Sequence, residues 1–213
     1  GTNGPCMSCD TACSSALVAL HTSASAVRTS ECSKVLSLAV NLMLLPQTHE
    51  VYLLAGMLSP DGRCKTFDSH ANGYARGEGV VGVSVCAFEG YCSAAQFLGS
   101  RIAADGRSAS LTAPNGTAQA QMIRAATLAA GNQRVRLVEC HGTGTPLGDP
   151  TEAIALQRAL DVTELCIVGG KSIFGHTEPA SGLMGLVMAI QQVAQERESA
   201  INAQLRALNG LLV

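Results

Sequence analysis

Three side chains in this 213-residue chain are of the types that carry out acyl transfer through sulfur. Cys13 stands in Asp10-Thr11-Ala12-Cys13-Ser14-Ser15, directly ahead of an apolar stretch with helical spacing. The unpaired backbone N–H groups at a helix start favour thiolate over thiol, and thiolate is the form that makes and breaks thioesters. His141 opens His141-Gly142-Thr143-Gly144-Thr145, and His176 lies in Gly175-His176-Thr177-Glu178. Glycines let a backbone approach a ligand closely, and the hydroxyls of Thr143 and Thr145 suit a polar ligand arm. Lys171 lies five residues before His176 and Glu178 two after, so a base, an acid and an imidazole share one loop and can tune one another's pKa.

Each of these residues also has a plainer reading. Cysteine is often simply buried. A loop histidine can be satisfied by its own backbone, and Lys171 with Glu178 could be a surface ion pair worth little. Cys13, His141 and His176 could instead hold zinc, but neither histidine stands at helical ligand spacing, and the sequence reading is no metal. Cys6-Met7-Ser8-Cys9 is a lone C-x-x-C without a second pair at zinc-finger distance, read as two small residues on an approach strand. His21, His49 and His70 have no comparable setting and read as ordinary helix or loop residues.

The elements that must position these groups alternate. Residues 5–12 read as a short strand leading to the Cys13 turn. Residues 14–28 read as a helix with Leu17, Val18, Leu20, Ala24 and Val27 on one stripe. Residues 35–40 read as a buried strand, and 42–58 contain a helix with Pro46 near its start. A turn-rich loop occupies 59–79, with Ser59-Pro60-Asp61-Gly62 as turn chemistry. Strands are expected at 80–88 and 96–103, then a helix at 117–130 that ends at Gly131. Residues 135–140 read as the strand that delivers His141. Asp149-Pro150 reads as the cap of a helix over 150–160. Residues 165–168 read as a strand, 171–179 as a loop, and 180–195 as a helix carrying Leu183, Leu186, Val187, Ile190 and Val193. This alternation is that of layered α/β architecture, and the candidate chemistry falls at strand ends and loops, where such folds collect their sites.

Composition narrows the function class. A net charge of −2 with 14% charged residues argues against nucleic acid as the main partner. No apolar run reaches the roughly 18 residues of a membrane helix. Of the residues 47% are hydrophobic but 3% aromatic, with no Trp, so Ala, Val, Leu and Gly must fill tight layers. Nine cysteines and no signal peptide favour reduced thiols in an intracellular, cytoplasmic setting. The chain opens on Gly and closes on Leu211-Leu212-Val213, which reads as a piece of something longer.

The motifs together resemble the β-ketoacyl synthase (ketosynthase) domain of type I polyketide synthases, within the thiolase-like superfamily. The residues that carry the resemblance are Asp10-Thr11-Ala12-Cys13-Ser14-Ser15 and Val40-Asn41-Leu42. To these are added Leu58-Ser59-Pro60-Asp61-Gly62-Arg63-Cys64-Lys65 and Gly73-Tyr74-Ala75-Arg76-Gly77-Glu78-Gly79. Leu111-Thr112-Ala113-Pro114-Asn115-Gly116 matches as well. So do His141-Gly142-Thr143-Gly144-Thr145-Pro146-Leu147-Gly148-Asp149-Pro150 and Lys171-Ser172-Ile173-Phe174-Gly175-His176.

The resemblance implies a thiolase-like α/β/α/β/α layering that is incomplete, with residues 1–213 as one partial ketosynthase domain. It implies a decarboxylative Claisen condensation in polyketide or fatty acid chain elongation, with Cys13 as the acylated nucleophile and His141 and His176 as the groups that assist decarboxylation of a malonyl unit. Lys171 would support the His176 loop, Thr143 and Thr145 would bind a phosphopantetheine arm, and Glu178, Asp149 and Glu152 would be supporting residues. No cofactor would be bound by the domain itself, since an acyl carrier protein brings its own phosphopantetheine. Acyl and malonyl thioesters would be the substrates, and a homodimer the assembly of the full-length protein. The family pattern also differs here: Ile173 stands where an asparagine-like residue is usual, Pro179 replaces an alanine, and the stretches 86–105 and 160–171 are short. These departures motivate an alternative, a catalytically impaired ketosynthase-like domain with a structural or carrier-docking role. A non-decarboxylating thiolase or a thioesterase is a third reading, against which Thr143, Thr145 and Lys171 speak.

Overall fold

The computed structural model describes residues 3–87, 93–108, 113–160, 163 and 165–194. Six helices and four strands alternate as α1 (Ser15–Arg28), β1 (Lys34–Asn41), α2 (Pro46–Leu54), β2 (Gly79–Cys86), α3 (Gly116–Ala129), β3 (Leu137–Glu139), α4 (Gly148–Ala159), β4 (Cys166–Val168), α5 (Lys171–Phe174) and α6 (Ser181–Ala194). A 3-10 turn over Glu178–Ala180 joins the last two helices. The strands form two separate pairs, β1 antiparallel to β2 and β3 parallel to β4.

The first pair runs in register from Lys34 opposite Cys86 to Asn41 opposite Gly79. Val-rich β2 and the Val, Leu and Ala of β1 suit a pleated surface. One face of this ribbon packs beneath α1 and α6: Ala16, Leu20, Val81, Ala180 and Leu183 form the buried cluster, with Leu183 at 0% exposure. Its neighbours along the strand point the other way, and Leu36, Leu38, Val40 and Val80 stand exposed. A second cluster of Phe67, Cys140, Ala153 and Leu156 binds α4 to the end of the parallel pair, and a third of Leu58, Cys64 and Tyr74 sits under the 58–75 loop.

Helix α6 lies close to both sides of the site because two of its residues are glycine. A Cβ on Gly182 would meet Leu17 Cγ at 2.5 Å, and one on Gly185 would meet Glu139 Cγ at 2.8 Å. The helix can therefore press against α1 on one flank and the end of β3 on the other.

Several sequence expectations need correction. Residues 5–12 form no strand: the segment is largely exposed, and its one bridge joins Thr11 to Cys13 within the elbow itself. Residues 96–103 also form no strand. This segment is tied across α1 by side chains instead: Arg28 donates to the Leu98 carbonyl at 2.9 Å, and His21 Nδ1 lies 2.8 Å from Ser100 Oγ. Leu17 is half exposed rather than on the buried stripe of α1, and Val193 is exposed on α6. The 171–179 loop contains α5 and the 3-10 turn. Asp149 does not cap α4: the N-cap position is Leu147, and the Asp149 carboxylate is used elsewhere. Asn115 is the capping residue of α3, its side chain accepting from the Ala118 amide at 3.1 Å. Phe88, Leu111, Thr112 and everything from residue 195 onward lie outside the described residues. Among the described residues no disulfide forms, and no helix is long and apolar enough to cross a membrane.

The buried cluster and the exposed face predict opposite outcomes for the same substitution. Leu183→Ala removes a fully buried side chain and should cost about 2–5 kcal/mol in denaturant unfolding. Leu54→Ala, on a side chain 87% exposed in α2, should stay within about 0.5 kcal/mol of the parent.

Candidate active site

Cys13 is presented by a strained elbow. Ala12 adopts φ 53, a left-handed value unusual for a residue with a Cβ, and its amide is held by Asp10 Oδ1 at 3.0 Å. Ser15 closes the turn, its hydroxyl donating to the Ala12 carbonyl at 2.6 Å and accepting from the Thr11 amide at 2.8 Å. The chain then enters α1 at once, leaving the Cys13 sulfur at the helix start.

His176 reaches that sulfur from 163 residues away, with Nε2 3.0 Å from Cys13 Sγ. Three features fix the ring. Gly175 takes φ 78, which turns the chain out of α5. The His176 amide donates to the Ala75 carbonyl at 2.7 Å, while the Gly77 amide donates to the His176 carbonyl at 2.9 Å. Tyr74 meets the imidazole edge-on with centroids 5.0 Å apart. The ring is buried, and its Nδ1 has no hydrogen-bond partner.

His141 approaches from the end of β3. Its ring lies 5.4 Å from that of His176 at 85°. Sγ of Cys13 and a ring nitrogen of each histidine all fall within 4.8 Å of one another. The loop that carries His141 is clamped by two carboxylates. Glu152 accepts from the His141 and Gly142 amides at 2.7 and 2.9 Å. Asp149, 2% exposed, accepts from the amides of Gly144, Thr145 and, across the molecule, Phe67 at 2.7 Å. Buried carboxylates satisfied by three or two backbone donors hold a glycine-rich loop that sequence propensity alone would leave loose. Thr143 and Thr145 lie side by side on this loop, with their hydroxyl oxygens 3.2 Å apart.

Lys171 is the first residue of α5, next to the end of β4, and is 4% exposed. Burial pushes its pKa down. Glu139 and Glu152 oppose that most strongly, with Cys64 and Cys13 also favouring the charge. Sequence reasoning missed Glu139. It is the last residue of β3, its Oε1 accepts from the Gly170 amide at 3.0 Å, and its Oε2 is buried without a partner. Burial raises its pKa to about 7, against the pull of that amide and of Lys171. The two ends of a parallel strand pair thus bring a buried carboxylate and a buried ammonium within electrostatic reach of each other. The position of Glu139 two residues before His141 was the available signal.

Two expectations about charge are overturned. Cys13 is not biased toward thiolate: burial pushes the thiol above its ordinary value, Lys171 pulls it back, and Glu178 adds to the rise. Desolvation of a thiolate outweighs the helix-start field here. Glu178 pairs with Arg76 rather than Lys171. Arg76 donates to its two oxygens at 2.6 and 3.0 Å in a buried fork, and the guanidinium also lies over the Tyr52 ring at 5.1 Å. Glu178 adopts φ 46, so this ion pair holds a strained residue directly after the histidine motif. Both histidines are shifted below the ordinary imidazole range, chiefly by lost hydration and then by the Lys171 charge, more strongly for the buried His176 than for His141, whose side chain keeps solvent access. Ile173, where the family pattern departs, points outward at 57% exposure.

The chain is similar to known proteins over most of its length. Residues 1–87 match the model of the β-ketoacyl synthase N-terminal domain, and residues 94–201 that of the β-ketoacyl synthase C-terminal domain. A phenolphthiocerol/phthiocerol polyketide synthase of Mycobacterium tuberculosis is 42% identical over 203 residues, which are 89% of this chain and 11% of that protein. Highly reducing polyketide synthase 40 of Fusarium mangiferae is 42% identical over 88% of this chain and 8% of its own length. Among solved structures, the ketosynthase from module 6 of the bacillaene synthase from Bacillus subtilis 168 superposes with a TM-score of 0.93 at 31% identity. That match covers 99% of this chain and 39% of the other. The oxazolomycin ketosynthase of Streptomyces albus JA3453 gives 0.91 at 32% identity. The chain therefore spans 11% of the first curated relatives and 39% of the solved ketosynthase. With both family models matched in order and the thiolase-like α/β fold shared, this chain belongs to the β-ketoacyl synthase family, alongside the ketosynthase domains of type I polyketide synthases.

Proposed function

We propose that this chain supplies the catalytic groups of a decarboxylative Claisen condensation in polyketide chain elongation, as one partial ketosynthase domain over residues 1–213. The observation that supports it most is the 3.0 Å approach of His176 Nε2 to Cys13 Sγ, with His141 in the same cluster.

The reaction begins with thioester exchange. Cys13 sulfur bonds to the acyl carbonyl carbon, the bond to the carrier's phosphopantetheine sulfur breaks, and the Cys13 proton leaves on that departing thiol. With its proton on Nε2, His176 donates to the Cys13 sulfur as negative charge develops there. This contact counts because burial otherwise disfavours the thiolate.

A malonyl thioester then enters. Its carboxylate leaves as carbon dioxide, and the electron pair of the broken C–C bond moves into an enolate. In this reading His141 and His176, each with a ring nitrogen in the cluster, donate N–H groups to the enolate oxygen. Fixed donors aimed at developing charge are the largest single source of catalysis in such sites. The enolate carbon attacks the Cys13 thioester, a C–C bond forms, the C–S bond breaks, and a proton from solvent restores the thiol. The chain on the carrier is two carbons longer. No bound cofactor takes part.

Lys171 lies in the buried layer under this site, where its positive charge lowers the cost of thiolate and enolate alike. Glu139 and Glu152 keep that ammonium charged. Thr143 and Thr145 offer hydroxyls to the phosphopantetheine arm, and Asp149, Glu152 and Glu178 hold the loops that carry the histidines. The alternative, an impaired domain that only docks a carrier, draws no support from Ile173, whose side chain faces away from the cluster. An acyl carrier protein and its acyl and malonyl thioesters are the proposed partners, and a homodimer the proposed assembly.

Cys13→Ala should abolish the acyl-enzyme adduct seen by intact mass after incubation with an acyl thioester. His141→Asn should still acylate, His176→Asn should acylate more slowly because the donor to the Cys13 sulfur is lost, and both should release carbon dioxide from a malonyl thioester about 100-fold or more slowly. Condensation that survives Cys13→Ala would remove the assignment. Glu139→Gln should spare acylation, slow decarboxylation, and flatten the change in decarboxylation rate expected of the parent around pH 7, the value to which burial raises Glu139. An unchanged pH profile in that variant would leave Glu139 a packing residue only.

A further inference from the structure

The same three donors have a second chemistry. Cys13 Sγ and one nitrogen from each of His141 and His176 lie within 4.8 Å of one another, on three separate loops that each have independent anchors. A tetrahedral zinc ion with bonds of about 2.0–2.3 Å needs its donors roughly 3.3–3.6 Å apart. The sulfur and the His176 nitrogen, at 3.0 Å, are already slightly closer than that, and no separation in the cluster exceeds 4.8 Å, so closure requires a donor shift of roughly 1 Å.

We propose that Cys13, His141 and His176 form a three-donor capture site for a borderline-soft divalent cation, zinc foremost, and that its occupation silences the condensing site. The inference rests on the same cluster as the condensing reading but on a different property of it. Thiolate and imidazole are the donors that zinc prefers, and three protein donors leave a fourth position to water. The balance is simple: the Cys13 S–H bond breaks, an S–metal bond forms, one proton goes to solvent, and each imidazole gives a lone pair. No electron changes hands.

The electrostatics are mixed in a way that makes capture reversible. The buried Lys171 charge repels a dication, while Glu139 and Glu152 beside it offset that charge. Coordination would also use the sulfur lone pair on which acylation depends, so metal and acyl group exclude each other. The lone Cys6-x-x-Cys9 pair is exposed or half-buried at the surface, and no third donor joins it among the described residues.

The test is a titration of the full reduced chain with cobalt(II) and zinc(II). One equivalent of cobalt should give a thiolate-to-metal charge-transfer band, and zinc should displace it. Cys13→Ser should lose the band. His141→Asn or His176→Asn should each weaken binding by about 100-fold or more, since even outer-shell losses cost about 10–100-fold. Cys6→Ser with Cys9→Ser should change nothing. In the unmodified chain, saturating zinc should slow iodoacetamide alkylation of Cys13 and a chelator should restore it, a readout that needs no variant to fold. No band, a band that survives Cys13→Ser, or alkylation blind to zinc would overturn the proposal. Acylation of the metal-free chain is read separately. Acylation without a cobalt band removes the metal site alone, and a cobalt band without acylation removes the condensing reading alone.

Discussion

The approach of His176 Nε2 to Cys13 Sγ at 3.0 Å is the constraint on which the rest of the structure depends. It joins an elbow near one end of the chain to a loop near the other. Neither can drift without losing it. The elbow is held by Ser15 and Asp10, and the loop by the backbone of 75–77 and the Arg76–Glu178 fork. Much of the molecule's polar burial serves this one distance. Asn41 donates to the Gly77 carbonyl at 2.6 Å, which steadies the strip against which His176 is paired. Such satisfied buried groups rigidify a site more than apolar packing alone would.

The second layer is electrostatic. A buried lysine is costly unless carboxylates accompany it. Here β3 and β4, parallel and adjacent, deliver Glu139 and Lys171 from their carboxyl ends, where α/β sheets place their chemistry. Glu152 contributes from α4 while clamping the loop of His141. The result is a buried ammonium, accompanied by carboxylates, acting on two imidazoles and a thiol. That arrangement favours negative charge when it develops on sulfur or an enolate oxygen, and it leaves the resting thiol protonated.

Much of this was legible in the residue order. Among the described residues, glycine and proline punctuation with apolar periodicity located every helix of ten or more residues and all four strands that form. Cys13, His141, His176 and Lys171 stood out because loop residues of those types at strand ends have few structural reasons to be there. The unread parts share a cause, since they depend on what lies opposite in space. Residues 96–103 have strand composition but find side chains of α1 rather than a strand edge. Asp149 has the spacing of a helix cap, yet Phe67 and the 144–145 amides claim its carboxylate. Glu178 looks like the partner of Lys171 on the sequence, and only the fold brings Arg76 to it. The thiol at a helix start promised a thiolate, because a sequence shows the helix but not the desolvation. Glu139 sat unnoticed in an apolar strand because its role exists only once β4 lies alongside.

The most direct measurement of the central claim is stoichiometric. With Cys13 pre-acylated and a malonyl thioester supplied in a rapid-quench experiment, carbon dioxide and β-ketoacyl thioester should appear in equal amounts and with the same time course, as the acyl group leaves Cys13. Product formed without carbon dioxide, or carbon dioxide released while the acyl group stays on Cys13, would contradict the account.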